Sequence, residues 1–222
     1  MSSSPAFGGG VFVTPVPGAP FSAVAVQEMK QVLKDRTSFE RKTAALIARD
    51  SQGRIHNESH EVLPMTSTQE PALLSVHIYD PETRLSTYLN PYTHVARQRT
   101  LPGPPATTPP SNWAQQGSGN HPPNPNVREE DLGSGVLGGI DVHGYRRTLT
   151  LTAKASGTGQ PVMITDEYWY SEQLHINLLA KHSDPRTGVL TVTVTQLNPN
   201  EPAVDLFEVP PSYKVVDMTP PE

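Results

Sequence analysis

The chain contains no cysteine, which excludes disulfides, thiolate metal sites and a cysteine nucleophile. It has no surplus of positive charge: 17 Lys and Arg stand against 22 Asp and Glu, a formal net charge of -5. No basic face for nucleic acid or an anionic membrane surface is therefore expected. No apolar run approaches the roughly 20 residues of a spanning helix. The opening MSSSPAFGGGVFV also lacks the basic and apolar regions of a signal peptide. The chain is thus read either as cytosolic or as a mature form whose targeting segment has been removed.

Proline, by contrast, is abundant. There are 24 prolines and 16 glycines in 222 residues, well above the ordinary ~5% for proline. They crowd into residues 1–20 and into LPGPPATTPPSNWAQQGSGNHPPNPN, residues 101–126. Such segments bury too little apolar surface to offset their ordering entropy. The expected organisation is a Gly/Pro-rich arm over 1–20 and a single domain over 21–218, interrupted by a Pro-rich loop at 102–127.

Between these segments the hydrophobic period is two. VMITDEYWY (162–170), LHINLLAK (174–181) and VLTVTVTQL (189–197) alternate apolar with polar and are rich in β-branched and aromatic residues. In the last, Leu190, Val192 and Val194 share one face and Thr191, Thr193 and Thr195 the other, as in a sheet packed on one side. YRRTLTLTA (145–153), LLSVHIY (73–79), LSTYLN (85–90), SFERKTAALIARD (38–50) and RIHNESHEVL (54–63) also read as strands. PFSAVAVQEMKQVL (20–33) reads as a strand or a short helix, and the alternation of Val24 and Val26 favours the strand. Asp184-Pro185-Arg186-Thr187-Gly188 places proline and glycine where a hairpin turn wants them; YDPETR and ARDSQG repeat the device.

Patterns that suggest chemistry are weak. GSGVLG (133–138) matches a dinucleotide fingerprint by letter but neither leaves a strand nor opens a helix, so it reads as a bend or bulge. In HNESH (56–60) the two histidines would chelate zinc on a helix, whereas on a strand they lie ~13 Å apart on a polar face. Asp141 and His143 share a face, and the other histidines are scattered. DEYWY (166–170) puts Tyr168 and Tyr170 on one face and Trp169 on the other. No catalytic, cofactor or metal residue is assigned.

Several motifs carry a resemblance. Trp169-Tyr170-Ser171, the Ser183–Gly188 turn, Glu201-Pro202, Leu206-Phe207 and Val209-Pro210 with Tyr213 follow one another as in uncharacterised bacterial exported proteins related to the periplasmic lipoprotein-carrier (LolA-like) superfamily. ARDSQGRIHNE, YDPETRLSTYLNP and LGSGVLGGIDVHGYR resemble earlier hairpins of the same proteins. The resemblance covers about residues 20–101 and 128–217. It implies an all-β fold with minor α: a strongly curved antiparallel sheet, an incomplete half-barrel, with a helix or loop closing an apolar cavity that takes acyl chains or serves in sensing.

Three functions follow as expectations. The first is a non-catalytic extracytoplasmic module in the periplasm, cell envelope or medium. It would bind a lipid or acylated peptide, with Val162, Ile164, Tyr168, Tyr170, Leu190, Val192 and Val194 as core or cavity lining. The second is an assembly subunit, a homo-oligomer, whose arm residues Val11, Phe12, Val13 and Val16 add a strand to an exposed edge. The third is an enzyme in which several of His77, Asp141, His143 and Glu167 converge.

Overall fold

The computed structural model describes residues 13–32, 37–103 and 124–220. One sheet dominates. Its N-terminal half comprises β1 (Phe21–Val32), β2 (Ser38–Arg49), β3 (Ile55–His60), the two-residue β4 (Leu63–Pro64), β5 (Leu73–Asp80), β6 (Leu85–Asn90) and β7 (Val95–Thr100). Its C-terminal half comprises β8 (Val127–Leu137), β9 (Ile140–Leu151), β10 (Val162–Ser171), β11 (Ile176–Asp184), β12 (Gly188–Asn198) and β13 (Lys214–Asp217). The spatial order is β13-β7-β6-β5-β3-β2-β1-β12-β11-β10-β9-β8, with β4 beside β2. All pairs are antiparallel except β13 with β7. The end strands β13 and β8 do not pair with each other, so the curved sheet stays open, the all-β half-barrel that the period-two pattern and the motifs lead one to expect.

Local chemistry accounts for the elements. β1 is a strand throughout because it lies between β2 and β12 and both ladders run nearly its whole length, outweighing the helical pattern in EMKQVLKD. The DPRTG turn closes β11 onto β12: the Asp184 carboxylate accepts from the Arg186 amide and guanidinium, and its carbonyl from the Thr187 amide. Gly188 has φ +109°, and a Cβ there would run into the Lys30 carbonyl oxygen. Within GSGVLG, Gly133 sits at a bulge with φ +78°, and Gly138 with the Gly139 that follows the motif forms the two-residue turn from β8 to β9.

β7 and β8 are sequential in the chain yet lie toward opposite ends of the strand order, β7 beside the terminal strand β13 and β8 at the other edge.

The two faces differ. On β1, Phe21, Ala23 and Ala25 are buried while Ser22, Val24 and Val26 are only partly so. The face of Phe21 is the inner one. At one end of the half-barrel it forms a core of Phe21, Ala23, Ala25, Ile47, Ile55 and Leu178, joined by Val13. The outer face carries a second core, Ala48, Val76, Ile78, Leu89 and Ala96. The segment between β12 and β13 covers it as a strap, with a 3₁₀ turn at Val204–Phe207 and with Phe207, Leu206, Val209 and Tyr213 against the sheet. The Glu201, Leu-Phe and Val-Pro-x-x-Tyr motifs thus belong to one strap: Glu201 accepts from the Ser51 amide and the Leu206 carbonyl meets His56. The single α-helix among the described residues, α1 (Ala153–Ser156), is one turn long, in place of the covering helix that the carrier resemblance allows.

Candidate functional site

The inner face is the candidate site, and the strand register decides who lines it. Tyr168 lies opposite Ala180, which lies opposite Val192, which lies opposite Gln27. Alternation then sets Val162, Ile164 and Tyr168 of β10 and Leu190, Val192 and Val194 of β12 on one face, with Ala180 and His182 of β11 between them. Tyr170 continues the alternation of β10 past an irregularity in the β10–β11 pairing, and its hydroxyl lies 3.4 Å from His175 Nδ1. Val162 and Val192 are buried; the other five are half-buried.

A polar band crosses this wall. Asp166 is opposite Arg147 on one side and His182 on the other, with His182 Nδ1 2.6 Å from Asp166 Oδ1. Burial, reinforced by the neighbouring Asp166, pushes the Tyr168 phenol far above its ordinary value. Tyr145 rises to about 12 through burial and its hydrogen bond with Glu129. These phenols stay neutral at physiological pH. Apolar rows flanking a band of hydroxyl, carboxylate and imidazole suit a ligand with a long apolar body and a few polar atoms.

The proposed arm residues fall in two groups. Val11 and Phe12 lie outside the described residues. Val13 and Val16 are buried against their own chain, at 4% and 6% exposure. The Thr14 hydroxyl donates to the His175 carbonyl and the Gly18 amide to the Ser51 carbonyl.

The candidate catalytic groups are not brought together. His77 is on β5, and five strands lie between it and β10 in the sheet. His143 pairs with Asp131 at 2.7 Å on exposed surface. Asp141 is exposed, and the half-buried Glu167 alternates with Asp166 and Tyr168 along β10, holding Arg146 at 2.8 Å and the Trp169 indole at 2.9 Å. His56 and His60 sit on strand β3, on its outer face, where the strap covers His56 instead of leaving a wet surface. Glu58 lies between them, 3.5 Å from His56 Nε2 and 2.8 Å from His60 Nε2. Burial works to raise its carboxyl, but the two histidines and the Leu46 amide outweigh that and bring it down to about 2. Neither this trio nor any other group of three His, Asp or Glu side chains among the described residues is arranged to hold a metal ion.

Two features escape a linear reading. The ring of Trp169 lies over Gly135 and Gly144: a Cβ at Gly144 would approach Trp169 Cζ3 and Leu132 Cβ to 2.9 Å. Two glycines of GSGVLGGIDVHG, Gly135 and Gly144, therefore seat a tryptophan across three strands, a packing role. Arg49 is fully buried at the closed end of the half-barrel, over the ring of Phe21. It donates to the carbonyls of Ala19 (2.8 Å), Thr14 (2.9 Å) and Leu174, tying the N-terminal segment and the β10–β11 loop to β2. The only hint in the sequence is a lone arginine ending the apolar run TAALIAR.

No family model matches the chain, and no curated protein matches it. Solved structures do align. A chain of the Pseudomonas aeruginosa MucA/MucB complex aligns at 13% identity and a TM-score of 0.41, covering 89% of this chain and 58% of that one. The present chain thus spans less than two thirds of the MucA/MucB neighbour's length. Mycobacterium tuberculosis lipoprotein LppX aligns at 14% identity and 0.30, over 83% and 90%. A putative outer membrane lipoprotein-sorting protein domain from Vibrio parahaemolyticus aligns at 8% and 0.19, over 84% and 88%.

Proposed function

We propose that this chain is a non-catalytic extracytoplasmic module that holds an apolar ligand, a lipid or an acylated peptide, against the inner wall of its half-barrel. The observation that carries the reading is the register. It gathers Val162, Ile164, Tyr168, Leu190, Val192 and Val194 on one face of an open, curved sheet. Apolar burial at ~25 cal/mol per Å² makes ~400 Å² of ligand surface contribute ~10 kcal/mol before ordering costs. That is ample for a micromolar complex.

The test uses N-phenylnaphthylamine, whose fluorescence rises in apolar surroundings. Ile164→Asp and Leu190→Asp, both at half-buried inner positions, should each abolish the rise. Met163→Asp, 61% exposed on the opposite face of the same strand, should leave it intact. Equal signals from all three variants would refute the site, and no signal from the wild-type chain would refute the function.

A further inference from the structure

At the β7 side the inner wall opens into a cleft of about 460 Å³, lined by His77, Ser86, Tyr88, Arg97, Arg99 and Met218 among others. Its construction is regular. His77 is opposite Tyr88, Tyr88 opposite Arg97, and Ser86 opposite Arg99, so all five project from the same face of three adjacent strands. Ala96, between the strand's start and Arg97, faces the other way into the outer core, which fixes this orientation. His77 stacks on Tyr88 with centroids 4.3 Å apart and 13° between planes, and His77 Nε2 lies 2.9 Å from the Ser86 hydroxyl. Burial lowers the His77 pKa, so its ring is neutral at pH 7 and the charge of the cleft is that of the arginines.

Arg54, Arg146 and Arg186 each hold a carboxylate, whereas the two arginines of the cleft, like Arg41, Arg128 and Arg147, form no ion pair among the described residues. The nearest acid on the neighbouring strand, Asp217, is opposite Gln98, and its carboxylate accepts from the Thr219 amide. Two guanidinium groups two residues apart on one strand face stand ~6.6 Å apart at their Cα atoms. That spacing lets their forks converge on one tetrahedral anion. The stacked rings and the side chains of Leu101 and Met218 supply apolar walls beside it.

We propose that this cleft binds a phosphate-type anion through Arg97 and Arg99, and that the anion arrives as the headgroup of an amphiphile whose chain lies along the inner wall. The headgroup half of the statement rests on the function proposed above. The anion half stands alone.

The experiment is isothermal titration of the full chain with octyl phosphate, octyl glucoside and inorganic phosphate, the amphiphiles below their micellar concentrations. Octyl phosphate should bind at least about tenfold more tightly than octyl glucoside, and Arg97→Gln with Arg99→Gln should erase that difference without weakening octyl glucoside. The double lysine variant should recover part of it. Inorganic phosphate bound by the wild-type chain and lost in the glutamine variant, with neither amphiphile bound, would keep the anion site, assign it to a free anion and sink the apolar-ligand function. Equal affinity for the two amphiphiles, or octyl phosphate unaffected by the glutamine variant, would overturn the cleft while leaving the apolar wall standing. No binding of any probe would overturn both.

Discussion

Replacing Arg49 tests how the closed end of the half-barrel is held. The guanidinium is fully buried, and its partners are three backbone carbonyls from two distant segments. Burial drives its pKa well down, to about 10, against a smaller opposing effect of Tyr170. Such a depression corresponds to roughly 3 kcal/mol of desolvation cost. Three charge-assisted bonds at about 1.5–3 kcal/mol each outweigh it. In Arg49→Met the desolvation cost disappears, but three carbonyls remain buried without a donor, at about 1 kcal/mol or more apiece. The net loss should be about 3–4 kcal/mol, a fall in Tm of roughly 6–16 °C for a chain of this size. Arg49→Lys should fall between, because a single ammonium does not reproduce the planar fork. Urea unfolding gives the free energy. Limited proteolysis should show new cleavage within residues 13–20, the segment released first. A methionine variant within about 1 kcal/mol of the wild type, with residues 13–20 still protected, would refute the staple.

Other perturbations follow from the same structure. Glu58 titrates near 2 in the folded chain, below an ordinary unfolded carboxylate, so its contribution is complete above about pH 4.5 and is lost as pH falls toward 2. This amounts to ~3 kcal/mol. Glu58→Gln should flatten the acid limb of the stability curve, and parallel curves for variant and wild type would contradict the account. Gly188→Ala combines a positive φ with a clash on the Lys30 carbonyl and should cost more than about 2 kcal/mol in chemical denaturation; a cost below about 0.5 kcal/mol would show that the turn is not pressed against β1. Gly144→Val pushes on Trp169 and Leu132, and should destabilise by about 1–3 kcal/mol with a shift in tryptophan emission. Unchanged emission would place the ring elsewhere.

Alternation made β1, β2, β10, β11 and β12 legible, because each has one face packed against the core. Aspartate and glycine marked the hairpins because those turns demand a side-chain acceptor or a positive φ. β7 was not legible. In VARQRT only Val95 and Ala96 are apolar, and the strand exists because β6 and β13 pair with it from either side. The HNESH histidines show the same limit. Period two places them on one face, but the burial of His56 depends on a strap 150 residues further along the chain. The inner-wall residues were legible as a shared face. Arg49, Arg97 and Arg99 were not, since a charge in the sequence does not reveal whether carbonyls, carboxylates or solvent surround it after folding.

The most direct test of an apolar ligand on the inner wall is native mass spectrometry of the protein purified from its source, under gentle and then denaturing conditions. The expected result is a chain carrying a lipid-sized adduct that departs on denaturation. A bare chain, or a homo-oligomer without adduct, would contradict it.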